Sequence, residues 1–158
     1  MTREPPKRGA APAPVVVARR FDAPRARVFA VWTQPEHMKR WLHPGPEWST
    51  PVVEVDLRVG GRYRLGFLGP GEAALRFVVG RFLELQRDER LVYTWTWEPP
   101  DPHAGVETLV TVSFADAGSG TRVVVTHERF PDDEVRARHA TGWEATLLCL
   151  DETLETDA

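Results

Sequence analysis

Two histidines stand where proton chemistry could be done. In TRVVVTHERF, alternation at period two puts His127 on the face of Val123 and Val125, the face a half-buried strand turns inward. Further on, His139 recurs at three-and-four spacing with Val135, Trp143, Thr146, Leu147, Leu150 and Leu154, which makes one apolar stripe along a helix. If that strand and that helix pack face to face, the two imidazoles look across the space between them. A neutral imidazole accepts a proton and an imidazolium returns it, so the pair could serve as base and acid in a cyclase- or hydratase-like reaction. Each also has a plain reading, a buried ring satisfied by hydrogen bonds. Tyr63 divides in the same way, between a donor to a ligand carbonyl and a core ring with its hydroxyl at the rim.

Aromatic residues cluster on the same inward faces. VYTWTW sets Tyr93, Trp95 and Trp97 on one side of a strand, and RYRLGFL does the same for Tyr63, Leu65 and Phe67. With Phe82, Phe114, Trp143 and Leu147 they either fill the core or line a mostly apolar pocket in which His127 and His139 are the polar groups. Trp32 and Trp41 belong to short helices that plug one end, and Trp48 opens a strand, partly exposed. Other chemistry lacks its residues. His37, His43 and His103 have no HxH or HxxxH spacing to share an ion, so no metal is expected. There is no GxSxG elbow, phosphate loop or dinucleotide fingerprint, and GPGE from Gly69 reads as a hairpin turn because no helix follows for a phosphate to cap. No catalytic residue and no cofactor is assigned.

The elements that must position these residues come in a readable order. VVVARRF, from Val15, is a first strand; Pro24 sits in the first turn of a helix carrying Val28, Phe29 and Trp32, and PEHMKRWL is a second short helix ending at His43, Pro44 and Gly45. From Trp48 to about Phe130 the chain reads as strands and turns: VVEVDLRV to a turn at Gly60 and Gly61, RYRLGFL to GPG, and a long stretch from Ala73 to Leu85. In that stretch the apolar face shifts from Leu75, Phe77 and Val79 toward Phe82, and a β-bulge at Gly80 would reconcile the halves. LVYTWTW, the loop EPPDPHAG, TLVTVSF and TRVVVTHERF follow. Pro131, Asp132 and Asp133 open the last helix, roughly 35 Å long at 1.5 Å per residue. Gly142 inside it suggests close packing against a sheet, since glycine costs up to about 1 kcal/mol there.

The bulk numbers permit one core. A chain of 158 residues is one domain in length and can bury roughly 70 % of its unfolded surface. With 42 % hydrophobic and 27 % charged residues and a net charge of −3, nothing favours nucleic acid or an anionic membrane surface. Cys149 is alone, so no disulfide framework is expected and a reducing cytoplasm is. No run approaches the roughly 18 apolar residues of a membrane span, and residues 1–14, rich in Pro and Ala, read as a flexible tail.

Strand, two short helices, five or six antiparallel strands and a long amphipathic helix make an α+β class, in which the curved sheet must wrap around the last helix to cover its apolar face. RRFDAPRARVFAVWTQPEHMKRWLHP, VGGRYR, ERLVYTWTW, VTVSF, GTRVVVTHERF and HATGWEATLLCLDETL then resemble, in order, proteins related to the C-terminal domain of the activator of the 90-kDa heat-shock chaperone's ATPase. These belong to the START-like or SRPBCC superfamily of helix-grip folds. The resemblance implies a single helix-grip domain over residues 15–156, a sheet of six to seven strands and a cavity between sheet and long helix. Members bind lipids, sterols and polyketides or cyclise them. The expectation is therefore a non-catalytic, cytoplasmic domain holding a hydrophobic small molecule. Its rivals are a cyclase-like enzyme using His127 and a co-chaperone-like interaction module, although a chain this short has no room for the co-chaperone's separate chaperone-contacting domain. Leu148, off the main helical stripe, would serve a homodimer if the protein is not a monomer.

Overall fold

A computed structural model describes residues 12–156. Most of the expected tail, residues 1–11, lies outside the described residues, while the carbonyls of Ala13 and Pro14 accept hydrogen bonds from Arg136. The β-branched opening forms β1 (Val15–Phe21). Pro24 then stands at the N-cap of α1 (Arg25–Thr33), one position before the helix, and its carbonyl accepts from the amides of Arg27 and Val28. Gln34 ends α1, and Pro35 opens α2 (Pro35–Trp41) at the position where a missing N–H costs nothing.

Six strands follow: β2 (Ser49–Val55), β3 (Arg62–Leu68), β4 (Arg76–Gln86), β5 (Arg90–Trp97), β6 (Thr108–Ala117) and β7 (Gly120–Glu128). All pair antiparallel in the order β1-β7-β6-β5-β4-β3-β2, so the meander from β2 to β7 is completed by β1 at its far edge. The turn before β3 uses only Gly60 in the left-handed region, at φ 83°. The seven strands curl into a half-barrel around α3 (Asp133–Thr156). Every residue of the expected stripe on α3 is buried, and Leu148, off that stripe, is 50 % exposed. The α+β helix-grip architecture read from the order of elements is the one observed.

Strand β4 departs from expectation in an instructive way. No extra residue is inserted at Gly80; the register shift in β4–β5 falls between Phe82 and Glu84. Val78 and Phe82 are both buried on the core face, whereas Phe77 faces outward with the Arg64 guanidinium 3.7 Å from its ring centre. The outward face carries apolar residues too, which is why hydrophobicity alone misplaced the bulge. Gly80 has a different task. A Cβ there would stand 2.0 Å from the Thr94 carbonyl oxygen and 2.5 Å from the Tyr63 ring. Its absence lets Tyr63 lie across the strand and donate its hydroxyl to that carbonyl, while the Arg81 amide donates to Thr94 Oγ1 at 3.0 Å.

Among the described residues no helix is long and apolar enough to cross a membrane.

Candidate ligand cavity

The space between sheet and α3 is divided. Near α1 and α2, the rings of Tyr63, Phe82 and Tyr93 meet pairwise at 5.5–5.8 Å. With Trp32, Met38 and Leu65 they leave a void of only about 20 Å³. Burial raises the pKa of both tyrosines well above the ordinary 10.0, so both hydroxyls stay protonated. At the other end a cavity of about 330 Å³ remains, within the range of small-molecule sites.

Period-two alternation in β3 and β5 delivers Phe67, Trp95 and Trp97 to the wall of this larger cavity, and α3 supplies His139 and Trp143 from one face. The rings are angled to one another at separations like those of the closed end: Phe67 to Trp97 is 5.8 Å, Trp95 to Trp97 5.9 Å and Trp95 to Trp143 5.8 Å between centres. Trp95 also carries a buried indole N–H with no acceptor among the described residues. Five of the residues expected to line a cavity are thus brought together. The other five are not. Tyr63 and Phe82 belong to the small void, Phe114 packs on Phe29 and Trp32 at 5.3 and 5.8 Å, Leu147 is core, and His127 is 0 % exposed.

The histidine pair is real in distance and unlike an acid and base in chemistry. The rings stand 4.9 Å apart at 76°. An indole N–H can only donate, so Trp143 Nε1, 3.0 Å from His127 Nδ1, makes that nitrogen an acceptor. His127 must then carry its proton on Nε2 and donate to Thr108 Oγ1 at 2.7 Å, and the Thr108 hydroxyl in turn donates a hydrogen bond to the Trp95 carbonyl at 2.8 Å. The same logic fixes His139. Trp97 donates to Nε2 at 3.1 Å, and Nδ1–H donates to the Val135 carbonyl at 2.8 Å. Both rings are held neutral, with every nitrogen occupied. Burial, with the neighbouring His139 adding to it, pushes the His127 pKa well below 6.5. Burial also lowers that of His139, against a smaller opposing pull from the Val135 carbonyl. The network orients two tryptophans of the cavity wall; His127 itself is shut off behind them.

Much of the rim was not anticipated. The Leu42–Gly45 turn forms one lip, tied by Thr50, whose hydroxyl donates to the Leu42 carbonyl at 2.6 Å, and touched by Thr146, whose single O–H proton is shared between the Gly142 carbonyl at 2.7 Å and the His43 carbonyl at 2.9 Å. Pro44, Trp48 and Gly142 also line the cavity. Gly142 faces this lip rather than the sheet, and an added Cβ would meet Pro44 Cβ at an ordinary 3.7 Å. Glu72, Arg76 and Arg138 complete the mouth. The HPG turn and the odd glycine were visible locally, but only tertiary packing sets them side by side. Among the described residues no three His, Cys, Asp or Glu side chains converge where a metal ion could be held.

Residues 22–155 match the family model described as Activator of Hsp90 ATPase homolog 1-like protein. Among solved structures, protein CV1439 of Chromobacterium violaceum is 28 % identical with a TM-score of 0.80, covering 89 % of this chain and 96 % of that one. The AHSA1 protein of Silicibacter pomeroyi superposes with a TM-score of 0.81 at 24 % identity over 92 % of this chain and all of its own. Protein NE0264 of Nitrosomonas europaea gives 0.76 at 25 % identity, over 92 % and 96 %. No protein with a curated description matches. The breadth of the family match, over a half-barrel closed on a C-terminal helix, establishes that the chain belongs to the Activator of Hsp90 ATPase homolog 1-like family.

Proposed function

We propose that the protein binds a hydrophobic small molecule, without transforming it, in the cavity between the sheet and the first half of α3. The observation that carries this reading is the cavity itself, about 330 Å³ between sheet and helix with Trp48, Phe67, Trp95, Trp97 and Trp143 in its wall. A pocket that is mainly aromatic with a few polar groups at its rim suits an apolar ligand of roughly bicyclic size. The non-catalytic part of the reading rests on the histidines. His127 has neither access to the cavity nor a free lone pair, and the ring nitrogens of His139 are spent on Trp97 and Val135. The cyclase-like alternative therefore lacks the base on which it depended. The chaperone-activating property in the family's name calls for a protein surface, and the feature favoured here is a cavity.

Titration with the neutral dye N-phenyl-1-naphthylamine tests the reading. Saturable, blue-shifted fluorescence with one site per chain is expected, together with at least about a ten-fold loss of affinity in Gly142→Leu, whose side chain would enter the cavity. Dye emission that does not saturate, or that Gly142→Leu leaves unchanged, would overturn it.

A further inference from the structure

The cavity wall is apolar within and charged at its mouth, and the charge is unevenly disposed. Arg76 and Arg138 both line it, and Glu72 is the single carboxylate in the lining. Arg76 Nε donates to Glu72 at 3.0 Å, so these two partly cancel. Arg138 is different. Its partner Asp101 stands outside the cavity lining, with its side chain only 3 % exposed against 35 % for Arg138. Burial alone would raise the Asp101 pKa, but hydrogen bonds from Arg138 and the His103 amide, each 2.9 Å, outweigh it and hold the carboxyl below its ordinary value.

Asp101 is therefore an ionised anchor that fixes one end of the Arg138 guanidinium. The same group stands 5.0 Å over the Trp97 ring, which limits its tilt. Its one hydrogen bond to the described residues is from Nη2 to Asp101, so most of its five N–H donors remain unspent. Arg76 likewise spends only Nε. A planar cation already oriented at the rim of an aromatic cavity matches a planar anion, because fork-shaped donors meet a carboxylate through two parallel hydrogen bonds. A cationic ligand would meet repulsion there, and a neutral one would leave those donors to water.

We propose that the preferred ligand is an amphipathic organic acid, with a flat apolar body among Phe67, Trp97 and Trp143 and a carboxylate held at the mouth by Arg138, assisted by Arg76. This deepens the proposed function and rests on it. Paired calorimetric titrations with 2-naphthoate and the neutral 2-naphthamide test it. The acid is expected to bind about ten-fold more tightly at low salt, a modest gain for a charge-assisted contact half open to water. Arg138→Gln should remove most of that preference and leave the amide within about two-fold. Because Arg138→Gln also frees Asp101, the double variant Arg138→Gln/Asp101→Asn is the second test; with no freed carboxylate left to repel the acid, it should lose the same preference. Equal affinities for the two probes in the wild type, or equal losses for both in Arg138→Gln, would overturn the carboxylate assignment while leaving the cavity a binding site. Binding of the amide without the acid would likewise overturn the carboxylate assignment, and failure of both probes to bind would overturn the binding reading, and this inference with it.

Discussion

At one end of the space between sheet and helix, Tyr63, Phe82 and Tyr93 close on a void of about 20 Å³; at the other, Phe67, Trp95, Trp97 and Trp143 surround about 330 Å³. Strand β5 feeds both ends from one face, with Tyr93 to the first and Trp95 and Trp97 to the second. The supply of rings is similar, so aromatic content does not decide which end is open. Neighbours do. At the closed end Trp32 and Met38 arrive from α1 and α2, and Gly80 lets Tyr63 settle across β4 with its hydroxyl satisfied. At the open end two indoles are turned toward histidines by hydrogen bonds, and α3 presents Gly142, which has no side chain to fill the space.

The sharpest way to break this contrast is to truncate one ring at each end. Phe82→Ala should cost about 3–5 kcal/mol in chemical denaturation, the usual range for emptying a packed aromatic site. Trp97→Ala should cost less, about 1–2 kcal/mol, because a ring that is only half-buried gains less from packing. Equal costs would mean that the two ends are packed alike. His127→Ala should cost about 2–4 kcal/mol, since it leaves the Trp143 indole N–H without its acceptor as well as a hole in the core. Its loss of ligand affinity would come through a reoriented Trp143 and would be rescued in part by His127→Gln, which can still accept from that indole.

Acid should act through the same network. Both histidines have folded-state pKa values below the ordinary 6.5, so the unfolded chain binds protons that the native chain refuses. Their contribution to stability is intact above pH 6.5 and is lost as pH falls below it, by up to about 1.4 kcal/mol per unit for each ring that stays neutral. Thermal unfolding between pH 7.5 and 5 should follow that sign, and His127→Gln should flatten the slope. A slope unchanged in the variant would exclude His127 as a source of it. Tyr63→Phe, which strips the Thr94 carbonyl of its hydroxyl donor, should cost about 1–3 kcal/mol without touching ligand affinity. Gly142→Leu should have the smallest effect on stability, within about 1 kcal/mol, because the helix gains propensity and the added Cβ has room.

The fold was legible because its signals are periodic. Alternation in RYRLGFL and TRVVVTHERF and the three-and-four stripe on the last helix name the buried faces directly, and one face on each element leaves few ways to assemble them. The site was legible only where periodicity reaches it. Strand parity put His127 inward, as observed, but parity cannot tell depth. Its register against Val110 and Val15 seats it behind Trp143 rather than beside the cavity. Arg76, Arg138 and the His43–Pro44 lip were invisible as site residues because each is an ordinary surface or turn residue locally. The β4 parity misled for a related reason: Phe77 is apolar but outward, covered by Arg64.

Crystals soaked with 1-bromonaphthalene test whether the open end is a binding site for an apolar molecule. One anomalous bromine peak is expected inside the cavity bounded by Phe67, Trp97 and Trp143, with the closed end empty. A peak only on the surface, or a cavity filled by the protein's own side chains in the crystal, would contradict it.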